Sequence, residues 1–88
     1  GVVSTDVRRG DDALLGCVVS SFPPSNITWT LKGKTLESSD KYEFLDDTYT
    51  LKVKEVMFED AGFYECSLMN ELGEARANAT LTVGRKYY

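Results

Sequence analysis

The chain of 88 residues offers little to chemistry: two cysteines, no histidine, and carboxylates mostly interleaved with basic residues. Cys17 and Cys66 stand 49 positions apart. Joined, they would close a ring of about 50 residues, worth roughly 4 kcal/mol in the chain-entropy view of a cross-link. Reduced, they would be small buried hydrophobes, and the redox compartment decides between the two states. Two thiols without an imidazole are not the ligand set of a zinc site. The pairs Asp11-Asp12 and Asp46-Asp47 fall short of the about six to eight oxygens that calcium takes, and they read as turn residues. There is no glycine-rich phosphate loop and no nucleophile beside a base. No catalytic residue, no metal ligand and no cofactor is therefore predicted, although a longer parent chain could carry a kinase or other enzyme elsewhere.

Three short motifs remain. Asn26-Ile27-Thr28 and Asn78-Ala79-Thr80 both fit the Asn-x-Ser/Thr glycan acceptor, and the chain has only three asparagines, so chance is a poor account of the pair. Asn26 is expected in a loop and Asn78 outward on the last strand. Arg9-Gly10-Asp11 is the tripeptide that integrins read, a guanidinium and a metal-coordinating carboxylate shown on a tight turn. Phe63 and Met69 are expected to face outward on the strand bearing Cys66, and aromatic and Met side chains are enriched at contact surfaces. Leu14 and Val18 form a comparable candidate on the opposite sheet.

Period-two alternation gives the elements that hold these residues. Val2, Val3 and Val7 predict a short first strand ending at a turn over Arg9 to Asp12. Ala13, Leu15, Cys17 and Val19 share one face of a second strand centred on Cys17. Phe22 to Asn26, with Pro23 and Pro24, breaks the pattern. Ile27, Trp29 and Leu31 face inward on the next strand. Lys34 to Asp40 is short and polar. Tyr42 and Phe44 precede a turn at Asp46-Asp47, and Tyr49, Leu51 and Val53 form the next inward face. Tyr64, Cys66 and Leu68 share a face, and Ala75, Ala77, Ala79, Leu81 and Val83 line the last strand after a turn at Asn70 to Gly73. No segment has helical period, so the fold class is all-β: seven or eight short strands in a two-sheet antiparallel sandwich.

Asp60-x-Gly62-x-Tyr64-x-Cys66, with Cys17 and Trp29 upstream, resembles the immunoglobulin superfamily, and specifically its I-set branch. Gly10 with Leu15 and Cys17, Pro24 before Trp29, Tyr49 to Val53, and Asn70-x-x-Gly73 add to the likeness, which spans residues 8 to 83. The resemblance implies a Greek-key sandwich bridged by Cys17–Cys66, with Trp29 packed on the bridge and Tyr64 making the tyrosine corner. It also implies Leu51 in the core, a turn that demands Gly10, and Lys41 where the family usually pairs an arginine with Asp60. Lysine lacks the bidentate fork, so a looser pair is expected. Leu68 stands where a small alanine is common, so packing there is expected to differ.

The formal charge of −4, with signs interleaved, argues against nucleic acid or an anionic membrane as partner. No run of 18 apolar residues crosses a membrane, and the start does not read as a signal peptide. Residues 1–84 are expected to be one domain and 85–88 a linker, together a piece of a longer chain. Two functions of different class follow from the resemblance. One is an extracellular, glycosylated protein-binding module of an adhesion molecule or receptor, in tandem with similar domains, with like-to-like contact among its options. The other is an intracellular mechanical spacer of a muscle or cytoskeletal giant, strong through its first and last strands.

Overall fold

The computed structural model describes residues 2–17, 26–45 and 48–85, with side chains from residue 4 onward within those ranges. Val18, Val19, Phe22 to Pro24, the Asp46-Asp47 turn and Lys86 to Tyr88 lie outside the described residues. Among the described residues there are eight strands: β1 (Val2–Arg8), β2 (Ala13–Gly16), β3 (Asn26–Leu31), β4 (Lys34–Thr35), β5 (Tyr42–Leu45), β6 (Thr50–Val53), β7 (Gly62–Asn70) and β8 (Gly73–Gly84). They form a five-stranded sheet of order β1-β8-β7-β3-β4 and a three-stranded sheet of order β2-β6-β5. The only helical element among the described residues is the 3-10 turn Phe58–Asp60, which leads into β7.

The two-sheet all-β architecture is the one expected from the alternation. Three details differ. First, β1 pairs with β8 in parallel, from Val2 opposite Asn78 to Arg8 opposite Gly84, so the larger sheet is mixed. Alternation gives the face of a side chain and is blind to strand direction. Second, the described part of β2 ends at Gly16; Cys17 follows it, and its amide still donates to the Tyr49 carbonyl at 2.8 Å. Third, Asn26 is the first residue of β3 rather than part of a loop.

The core lies between the sheets as cross-strand rows. Trp29, Cys66 and Ala77 make one row of the larger sheet, and Leu31, Tyr64 and Ala79 the next. Leu68 is fully buried between Ile27 and Ala75, so the small residue the family often has at this place is supplied by the neighbouring strand instead. Facing them, Leu15 and Leu51 are completely buried with Phe44 packed beside them. Cys17 and Cys66 are bonded across the gap with their Cα atoms 5.9 Å apart, a separation that a disulfide spans.

Trp29 is buried, and its indole N–H donates to the carbonyl of Thr48 at 2.8 Å. A buried indole needs such a partner. Thr48 holds a positive φ of 77°, uncommon for a β-branched residue, and its carbonyl is thereby tied to the sheet opposite.

Leu51 is completely buried on the middle strand of the smaller sheet, between Leu15 and Phe44. Leu51→Ala is expected to cost about 3 kcal/mol, the range of a buried leucine whose cavity cannot collapse. The urea midpoint of the variant against the parent, with the slope unchanged, checks this.

Candidate interaction surfaces

Where the chain crosses back to the larger sheet it makes a polar knot. The Tyr64 hydroxyl, fully buried, donates to the Asp60 carbonyl at 2.7 Å. Asp60 Oδ2 accepts the Met57 amide at 2.7 Å and meets Lys41 Nζ at 2.6 Å. The expected loose pair is not what the structure has. Lys41 also donates to the Glu55 carbonyl at 3.1 Å, so a point charge with several donors replaces a fork by dividing its bonds between two acceptors. Burial pushes the Tyr64 phenol well above its usual range, with Tyr42 and Asp60 adding to the shift. Tyr42 moves the same way, through burial first and then Asp60.

Arg9-Gly10-Asp11 forms the turn that takes the chain from β1 to β2. Its backbone is bonded on every side: the Arg9 amide to the Gly84 carbonyl at 2.8 Å, Gly10 to Val56 at 2.7 Å, Asp11 to Arg8 at 3.1 Å. The Asp11 carbonyl accepts the Val56 amide at 2.9 Å. Gly10 has φ +94° and open space where a Cβ would stand, so conformation rather than crowding calls for glycine. The Arg9 guanidinium lies over the Phe58 ring, 5.8 Å from its centroid, a cation–π distance. All three residues are exposed. Asp12, beside them, takes the Glu55 amide at 2.9 Å and pairs with Lys52 at 3.7 Å. Sequence reasoning passed over Phe58 and Met57, both exposed at this end; a Met-Phe pair just before the corner aspartate was the available signal.

The outer face of the five-stranded sheet gathers the remaining candidates. Phe63 is 72% exposed and Met69 56% exposed. The register places Phe63 opposite Thr80, Glu65 opposite Asn78 and Thr30, and Met69 opposite Asn26 and Glu74. Asn26 and Asn78 are both exposed, and so is Thr28; Thr80 is half-buried. Both acceptor sequences therefore open onto one face, among the two apolar side chains singled out for contact. Arg76 links the charges between them, bonded to Glu74 and 3.8 Å from Glu65. On the opposite sheet Leu14 is exposed beside Lys52 and Glu43. No cluster of potential metal ligands is present among the described residues.

Residues 2–83 match the family model described as Immunoglobulin I-set domain. The chain is similar to smooth-muscle myosin light chain kinase of Gallus gallus, 35% identical over 85 residues, covering 94% of this chain and 4% of that protein. It is also similar to leucine-rich repeats and immunoglobulin-like domains protein 1 of Homo sapiens, 35% identical over 77 residues, covering 88% of this chain and 7% of that protein. Among solved structures, a chain of the Titin M10-Obscurin like 1 Ig complex superposes with a TM-score of 0.82 at 32% identity, covering 99% of this chain and 90% of that one. The chain thus spans a small part of the curated relatives it matches, which include both a smooth-muscle kinase and leucine-rich repeats and immunoglobulin-like domains proteins.

The polar knot gives the fold an alkaline limit. A phenol whose folded pKa lies above its unfolded value of 10.0 contributes stability that is complete below that pH and is lost as pH rises through the folded pKa. Urea midpoints are therefore expected to fall from about pH 10 upward. Tyr64→Phe is expected to lose about 1 kcal/mol at neutral pH, from the hydrogen bond, and to show a shallower alkaline decline than the parent.

Proposed function

Since the chain belongs to the immunoglobulin I-set family, we propose that it is an extracellular protein-binding module, one bead in a cell-surface adhesion molecule or receptor. The family is a protein-interaction module, and the chain is an immunoglobulin domain rather than a catalytic one. Relatives of both the extracellular and the muscle kind match it, so the compartment rests on the chain's own residues. The observation that carries it is the placement of Asn26 and Asn78: two of three asparagines, both exposed, both followed at the second position by a threonine on the same side of the strand. A glycosyltransferase of the secretory pathway meets such residues unobstructed. The Cys17–Cys66 bridge suits the same oxidising compartment. Its partners are proteins, other immunoglobulin domains in tandem among them.

A second reading, the intracellular spacer, draws on β1 and β8. They pair in parallel over the seven residues of β1, with the start of β1 and the end of β8 at opposite ends of the ladder. Tension on the two ends would load all those hydrogen bonds together in shear.

Expression in a secreting eukaryotic host separates the readings. Intact mass before and after glycosidase, with thiol alkylation, is expected to show glycan on at least one of Asn26 and Asn78 and no alkylation of Cys17 or Cys66. Bare sequons, together with stability undiminished when both cysteines are reduced, would overturn the extracellular reading in favour of the spacer.

A further inference from the structure

The register of the larger sheet carries a consequence for the two acceptor asparagines, and it rests on the extracellular reading. Asn26 is the direct cross-strand partner of Met69 on the exposed face, and directly opposed side chains have Cβ atoms about 5 Å apart. Asn78 sits directly opposite Glu65, and its acceptor threonine, Thr80, is the partner of Phe63. The two asparagines thus stand on this face beside its two exposed apolar side chains. We infer that this outer face is sheathed by the protein's own sugars, the glycan on Asn26 lying over Met69 and the glycan on Asn78 over the row that leads to Phe63. A protein partner then meets the domain elsewhere, at the opposite sheet or at the ends.

The chemistry of attachment sets the geometry. In the transfer, Asn Nδ2 forms a C–N bond to the anomeric carbon of a lipid-diphosphate-linked oligosaccharide from the secretory pathway. That carbon's bond to the phosphate oxygen breaks, the lipid diphosphate leaves, and the amide proton passes to the medium. The first sugar is held one side-chain length above the sheet. From Asn26 its apolar ring face reaches the Met69 thioether, which is flexible and polarizable enough to fit it. The Ser67–Thr28 pair between the two glycosylated rows is polar, and Arg76 with its carboxylate partners offers donors and acceptors to sugar hydroxyls.

The chain's two methionines make the test internal. Met57 is 41% exposed, next to Phe58 just before β7 begins, whereas Asn26 pairs with Met69 at the other end of that strand. Hydrogen peroxide transfers one oxygen to a thioether, giving sulfoxide and water, at a rate that follows exposure. The secreted protein, its Asn26→Gln and Asn78→Gln variants, and enzymatically deglycosylated parent would be oxidised in parallel and each methionine followed by peptide mass. In the glycosylated parent Met69 is expected to oxidise about threefold more slowly than in Asn26→Gln or in deglycosylated protein, as shielding of an exposed thioether requires. Met57 is expected to keep one rate throughout, and Asn78→Gln to leave Met69 unchanged. A glycan present on Asn26 with Met69 oxidising at the unglycosylated rate would overturn the sheath while leaving the extracellular reading intact. Absence of glycan from both asparagines would remove the two together.

Discussion

Everything in this domain depends on keeping two small sheets face to face. A chain of this length buries too little surface to hold such a sandwich by apolar contact with much to spare. The Cys17–Cys66 bond crosses the gap where the larger sheet places Cys66 beside Trp29 and Ala77. Around it the rows alternate bulk: Cys66, beside Trp29, and Tyr64 are opposed by Ala77 and Ala79 on β8, and Leu68 by Ala75. Those alanines let a wide indole, a phenol and a disulfide lie in one layer without overpacking. The indole N–H, bonded to the Thr48 carbonyl, adds a polar tie between the sheets close to the covalent one.

A second constraint governs the crossing from β6 back to β7. The chain must turn there while leaving no buried backbone group unpaired. Tyr64 takes the Asp60 carbonyl, Asp60 takes the Met57 amide, and Lys41 neutralises the carboxylate while holding the Glu55 carbonyl. Each member satisfies another, and burial first, with Tyr42 and Asp60 adding to it, makes ionisation of the phenol harder than in the unfolded chain. The same end holds the Arg9-Gly10-Asp11 turn, whose amides are spent on Gly84, Val56 and Arg8. Arg9 rests on Phe58, so the tripeptide has a complete structural account here.

The outer surfaces follow from the inner ones by parity. Because Tyr64, Cys66 and Leu68 must point inward, Phe63, Glu65, Ser67 and Met69 must point out. Because Ala77, Ala79 and Leu81 are buried, Asn78 is displayed. The features proposed for function are thus on the same sheet face for one reason, the need of β3, β7 and β8 to bury their other sides.

The alternation of residues, read alone, determined the inward face of most strands, though not the burial of Val56 and Asp60 in the crossing before β7, and with the cysteine, tryptophan and tyrosine spacing it determined the family. It also turned Asn78, Phe63 and Met69 outward, since parity along a strand is local, whereas Asn26, expected in a loop, stands at the start of β3. Strand direction and partnership are not local. That β1 runs parallel to β8, that Cys17 lies just past the described end of its strand, and that Lys41 divides its charge between Asp60 and Glu55 were set by pairings distant in sequence. So was the meeting of Asn26 with Met69, which depends on the register of β3 against β7. A period of two is the same for either direction and every even shift of register, and only burial of the whole sandwich selects among them.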